Sequence, residues 1–214
     1  MDPGPCMPLQ TPLARPRRGA STRVQFGNKE VVLEATRGGY SLVWLDGREA
    51  RRFAVGLTAR GTLHLALRAP RLPVRVVARD TLTLAPGARL RGYVQVPLVP
   101  TIVWQDTDIE PQLLAEFPRP ELAAEWDDRE GTIYRCVSPF HIRYPIPGSD
   151  PRATVPVWLG NPGGNVASPA FVPLLILDEE LHERRGGVAI LPRRLRWNGQ
   201  NLQPAPRRRA EVAL

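Results

Sequence analysis

From about Arg23 onward, short runs of the chain alternate apolar and polar residues with a period of two. Leu63, Leu65 and Leu67 are interleaved with Thr62, His64, Ala66 and Arg68, and Phe53, Val55 and Leu57 with Arg52, Ala54 and Gly56. Side chains two apart share one face of an extended chain, so such runs predict half-buried strands. Asp46-Gly47 separates two of these runs, and glycine there supplies the positive φ of a tight turn. A hairpin is predicted over residues 40–57. Leu82 and Leu84 precede a Pro86-Gly87 turn, after which Leu90, Val94, Val96 and Leu98 alternate with Arg89, Arg91, Tyr93 and Gln95. Further strands are predicted at 24–27, 30–36, 73–78, 101–105, 132–138, 154–159, 170–177 and 187–191.

Helical periodicity is nearly absent. Glu121 to Trp126, after Pro120, is the best helical segment, because proline suits the first turn. With 24 prolines and 18 glycines the elements must be short. The expected fold is all-β: an immunoglobulin-like β-sandwich, or two packed β-sandwich units, with at most one or two short helical turns. Residues 1–21 lack apolar periodicity and are expected to be a disordered Pro/Arg-rich tail. An N-terminal β unit is expected over 22–100, a C-terminal β unit over 101–200, continuous with the first or separate from it, and a basic tail over 201–214.

Charge changes the picture more than composition does. The net charge is +8 and Lys29 is the only lysine, so the positive charge is almost wholly arginine. Gln105–Glu130 holds nine carboxylates against two arginines. Asp106, Asp108 and Glu110 stand at every second position, a spacing that invites a hard cation, and Pro111 is expected to end the extended run. A cation site needs carboxylates converging from several directions, usually around a tight turn, and this run supplies neither turn nor histidine. We therefore read Asp106, Asp108, Glu110, Asp127 and Asp128 as an acidic interaction patch, facing the arginine-rich C-terminal region of this chain or a second copy. No metal is expected.

Candidate chemistry is sparse. His64, His141 and His182 form no His-x-His or His-Glu-x-x-His group. Cys136 and His141 could be imagined as nucleophile and base, but Cys136 lies in a strand pattern, where free cysteine is usually buried. Ser138 and Ser168 lack a nucleophile elbow. Gly160-Asn161-Pro162-Gly163-Gly164-Asn165 has the glycines of a phosphate loop without its Gly-Lys-Ser/Thr or helix, and reads as a β connection. Arg193, Arg194, Arg196 and Trp197, followed by Arg207, Arg208 and Arg209, combine cations with an aromatic, which suits phosphate contact and base stacking. The five tryptophans are otherwise expected in or beside the core.

Phe26-Gly27, the Gly39-Tyr40-x-Leu42-x-Trp44 strand, APRLPV, LAPGARLRGYVQVPLVPTIVW, EGTIYRCVSPF, VPVWLGNPGG and FVPLLILDEE follow in order. Together they resemble, over residues 24–192, a family of uncharacterised archaeal proteins known only as a domain of unknown function. The resemblance implies an all-β protein and brings no catalytic residue with it.

The expected function is a non-enzymatic β-sandwich interaction or accessory protein, cytoplasmic and without cofactor, that binds another protein or itself. One alternative is a nucleic-acid or polyanion binder acting through the arginine-rich C-terminal region. Another is a carboxylate-based metal-dependent or carbohydrate-acting enzyme. No apolar run approaches the roughly 20 residues of a membrane-spanning helix.

Overall fold

The structure, a computed structural model, describes residues 9–26, 29–47, 49–56, 61–106, 109–117, 119–184 and 187–205. In chain order the strands begin with β1 (Gln10–Leu13), β2 (Ser21–Phe26), β3 (Lys29–Ala35), β4 (Tyr40–Asp46), β5 (Glu49–Val55) and β6 (Thr62–Arg68). Next come β7 (Val74–Ala78), β8 (Arg89–Pro97), β9 (Val99–Asp106), β10 (Ile109–Glu116), β11 (Ala123–Asp127) and β12 (Gly131–Ser138). Then follow β13 (Arg152–Gly160), β14 (Val172–Leu174), β15 (His182–Arg184), β16 (Gly187–Ala189), β17 (Arg193–Trp197) and β18 (Leu202–Pro204). A single 3-10 turn at Asp178–Glu180 is the only helical piece among the described residues. The fold is all-β, built of packed sheets, as the alternation predicts. Among the described residues no helix is long and apolar enough to cross a membrane.

Four sheets form two packed pairs. The first pair is β1-β6-β9-β10 on β2-β3-β4-β5. Between them lie Leu13, Val31, Leu33, Leu42, Leu63, Leu65, Ile102 and Phe117, with the Phe117 ring stacked on Trp44 at 4.2 Å. The second pair is β11-β12-β7-β14 on β15-β16-β13-β17-β18, with β8 on the other side of β13. Its core takes Val74, Val76, Val94, Val96, Val155, Val157, Leu159, Val172 and Leu195. The alternation does what it should: β6 buries Leu63, Leu65 and Leu67 and leaves His64 and Ala66 half-covered.

The two cores do not divide at residue 100. Strands β7 and β8, from the expected first unit, help build the second pair of sheets, whereas β9 and β10 complete the first. Strand β6 feeds both, with Leu65 in one core and Leu67 in the other. Non-local pairing of this kind has no trace in local sequence.

Arg119 lies where the chain passes from the first core to the second, and its side chain is fully buried. Its Nε and Nη2 donate to the Glu121 carboxylate at 3.2 and 3.3 Å. Nη2 also donates to both Asp150 oxygens at 2.8 and 3.0 Å, and Nη1 to the carbonyls of Leu98 and Pro151. Lys29, buried at the start of β3, joins Asp46 at 3.3 Å and Glu121 at 3.9 Å.

Four local expectations change. Glu121–Trp126 is not a helix: a turn at Pro120–Leu122 leads into β11, which pairs with β12, because six residues cannot offset helix nucleation while an open strand offers a full ladder. Gln10–Leu13, inside the expected tail, is strand β1 on β6. Pro111 does not end the extended run, since β10 continues to Glu116 as the edge of its sheet, where a missing N–H costs no ladder bond. Leu202–Pro204, in the expected basic tail, is strand β18. The expected hairpin forms between Tyr40 and Val55, with Asp46 paired to Glu49 and Gly47 at φ of 61°; Leu57 lies outside the described residues.

Candidate polyanion interface

Strands β8, β13 and β17 lie side by side, antiparallel and then parallel, and their register fixes which side chains share a face. Trp158 pairs with Arg91 on one side and Arg194 on the other. Two residues further along β13, Gly160 pairs with Arg89 and Arg196 in the same way. Residues two apart project to one face, so four arginines surround Trp158 and Gly160 on a single surface. Neighbouring strands are about 4.8 Å apart and alternate residues about 7 Å, which sets the four within roughly 12 Å of one another at their roots.

Trp158 orders two of them. The Arg91 guanidinium carbon lies 4.9 Å from its ring centroid and that of Arg194 4.3 Å, each reaching in from its own neighbouring strand. Stacking holds the planar groups against the indole and leaves their N–H edges for a ligand. All four arginines are exposed and Trp158 is half-buried. None of Arg89, Arg91, Arg194 and Arg196 makes an ion pair among the described residues. The face forms a groove of about 680 Å³ whose lining, among the described residues, contains no carboxylate. Gly160 lies in that lining, and a Cβ added there would meet nothing nearer than the Leu195 carbonyl oxygen at 3.9 Å. The glycine therefore keeps the groove open without being required by the backbone.

Of the C-terminal residues singled out by sequence, the structure brings Arg194 and Arg196 to this face and sends Arg193 and Trp197 elsewhere. Strand parity is the reason. Arg193 projects from the opposite side and pairs with Glu180. Partial burial tends to raise the Glu180 pKa, but hydrogen bonds from Arg193 and the Leu177 amide, with the Arg193 charge, leave it below the ordinary 4.5. Trp197 packs partly on the second core. Arg207, Arg208 and Arg209 lie outside the described residues. Arg89, Arg91 and Trp158 are the residues that sequence reasoning missed. The alternation of Arg89 and Arg91 with Leu90 is visible in the sequence, but nothing there says that β17 is the second neighbour of β13.

The acidic patch is dispersed. Asp106 ends β9 and Glu110 is exposed on β10, whereas Asp127 ends β11 and Asp128 opens the turn to β12, in another sheet. Asp108 lies outside the described residues. The Asp127 pKa is lowered by the Arg129 amide, the Arg75 side chain and the Glu130 amide, against a smaller desolvation effect. Of the patch residues Asp127 pairs with Arg75 rather than with a C-terminal arginine, and in the same acidic segment Glu116 pairs with Arg71 and Glu125 with Arg135. Among the described residues no group of His, Cys, Asp and Glu could hold a metal ion.

Cys136 is buried in the second core, and desolvation pushes its thiol up to about 11 while the Arg152 charge acts weakly in the other direction. In a Cys6→Ser chain at pH 8, a disulfide-exchange reagent is expected to label Cys136 at least 100-fold more slowly in native than in unfolded protein, because the thiolate is the reactive form. Equal rates would show an open thiol. No family model matches the chain, and neither a curated protein nor a solved structure does.

Proposed function

We propose that this protein is a non-enzymatic binder of a linear, phosphate-bearing polyanion, held along the face of β8, β13 and β17. The supporting observation is the set of four exposed arginines around Trp158, lining a groove that holds no counter-charge and no carboxylate among the described residues. Like charges gathered at this spacing repel one another, and a bound polyanion relieves that cost while releasing its own counterions. The protein-binding reading has weaker support. Val137 on β12 and Leu175 just past β14 are exposed, but Arg75 and Arg135 pair across the sheet one step from Val137.

Retention of a labelled nucleic-acid strand, followed by fluorescence anisotropy against salt, tests the proposal. Four phosphate contacts at about 0.7 each give a log–log slope near −3, so affinity is expected to fall about 50-fold between 50 and 200 mM salt. Absence of binding at low salt, or a flat salt response, would remove the reading.

A further inference from the structure

Beside the arginine face lies a second concavity of about 650 Å³, reached across Arg196, Asn161 and Pro162, which line both. Its chemistry differs. Among the described residues Arg196 is the only charged one in its lining; the rest includes Asn165, Trp197, Asn198, Gly199 and Gln203. Gln203 pairs with Arg196 across β17 and β18, so its carboxamide continues the row that starts with Arg89 and Gly160 and passes through Arg196. A simple anion finds nothing further to bind there. A nucleobase finds carboxamides that both donate and accept, and beside them Trp197, which borders the concavity while packing partly on the second core.

The walls are fixed in advance. Asn161 is buried, and its Nδ2 donates to the carbonyls of Leu84, Ala85 and Asn165 at 3.0, 3.1 and 2.8 Å. Its Oδ1 accepts from the Gly163 amide at 3.1 Å. This one side chain clamps the Asn161–Asn165 loop on the sheet. On the facing wall, the Asn198 Oδ1 accepts from the amides of Gln200 and Asn201 at 2.9 and 2.8 Å, which closes the β17–β18 turn and leaves its NH2 group for a ligand. Gly199 at φ of 102° makes that turn possible. Gly163 and Gly164 carry no side chain over the loop between, and nothing stands within 4 Å of where a Gly164 Cβ would be.

We infer, resting on the polyanion reading above, that the ligand is a single-stranded nucleic acid whose phosphates lie on Arg89, Arg91, Arg194 and Arg196 while a base enters the groove between Asn165, Trp197 and Gln203. A duplex does not fit this arrangement, because its bases are stacked inward and out of reach of a pocket beside the phosphate track.

The test uses the full chain and labelled probes of about twelve residues: a thymidine strand, an abasic strand of equal length and charge, a duplex, and inorganic polyphosphate. The base-bearing strand is expected to bind roughly 10-fold more tightly than the abasic strand and polyphosphate, since one stacked base contributes about that factor. Asn165→Ala/Gln203→Ala, at two exposed positions outside the core, is expected to close most of this gap and to leave abasic binding unchanged. Trp197→Leu is expected to do the same, and circular dichroism shows whether it folds. Equal affinity for base-bearing and abasic strands, or preference for the duplex, overturns the base pocket while the polyanion reading stands. If no probe binds at low salt, both fall.

Discussion

Arg91→Ala/Arg194→Ala is expected to weaken polyanion binding about 100-fold at low salt and to lower the salt slope by about 1.4. The two side chains flank Trp158 from β8 and β17, and each offers a guanidinium whose plane the indole already orders. A hydrogen bond to a charged group contributes about 1.5 kcal/mol net, so removing both guanidinium groups costs roughly 3 kcal/mol of binding, near two powers of ten. The fold should hardly respond. Both side chains are exposed and make no ion pair among the described residues, and stacking at an exposed site contributes less than about 1 kcal/mol each. Gly160→Leu separates charge from access. It keeps all four arginines and fills the groove floor, where the backbone leaves room for a Cβ. Its expected result is loss of binding with an unchanged melting temperature. If the double alanine variant binds as wild type does, the polyanion contacts this protein elsewhere.

Arg119→Leu is the substitution with the largest expected effect on stability. The guanidinium is fully buried and all its donors are used, by Glu121, Asp150 and two backbone carbonyls. Leucine would leave the Leu98 and Pro151 carbonyls without this donor, and two carboxylates facing one another without the cation between them. Removing one partner of a buried ion pair costs about 3 to 5 kcal/mol. Since Glu121 and Asp150 are each about 35% exposed, the lower end applies. About 3 kcal/mol lowers the melting temperature of a chain this size by about 10 °C. A shift below about 2 °C would show that this contact does not hold the two cores together.

The same network sets an acid response. Partial burial tends to raise the Glu121 pKa, yet the Arg119 hydrogen bond, its own backbone amide, and the charges of Arg119 and Lys29 outweigh this and leave it below 4.5. A carboxylate depressed by folding contributes stability above its unfolded pKa and loses it as pH falls through the folded value. Part of the native protein's stability should therefore disappear below about pH 4.5, and Arg119→Leu should reduce that dependence.

Much of the fold was legible because burial on one face of a strand forces period-two alternation. The runs around Leu63, Val94 and Val155 are strands where that signal places them. What escaped were segments whose partner is distant or whose local composition points elsewhere. Strand β1 has only four residues and pairs with Leu63–Ala66, far along the chain. Ala123–Asp127 carries helix-forming residues but lies against β12, with Glu125 joined to Arg135 across the ladder.

The candidate site divides along the same line. Sequence alone identified Arg194 and Arg196 among basic residues near an aromatic, and it also determined the alternation of Arg89 and Arg91 along their strand. It paired them with the wrong tryptophan, because Trp197 is adjacent in the chain whereas Trp158 is adjacent in the sheet. Local sequence carries the side-chain parity of each strand; only tertiary structure decided that β8, β13 and β17 are neighbours. That choice arises from burying Val94, Val157 and Leu195 in one core, and it gathers four charges on the opposite face that no segment of the chain holds together by itself.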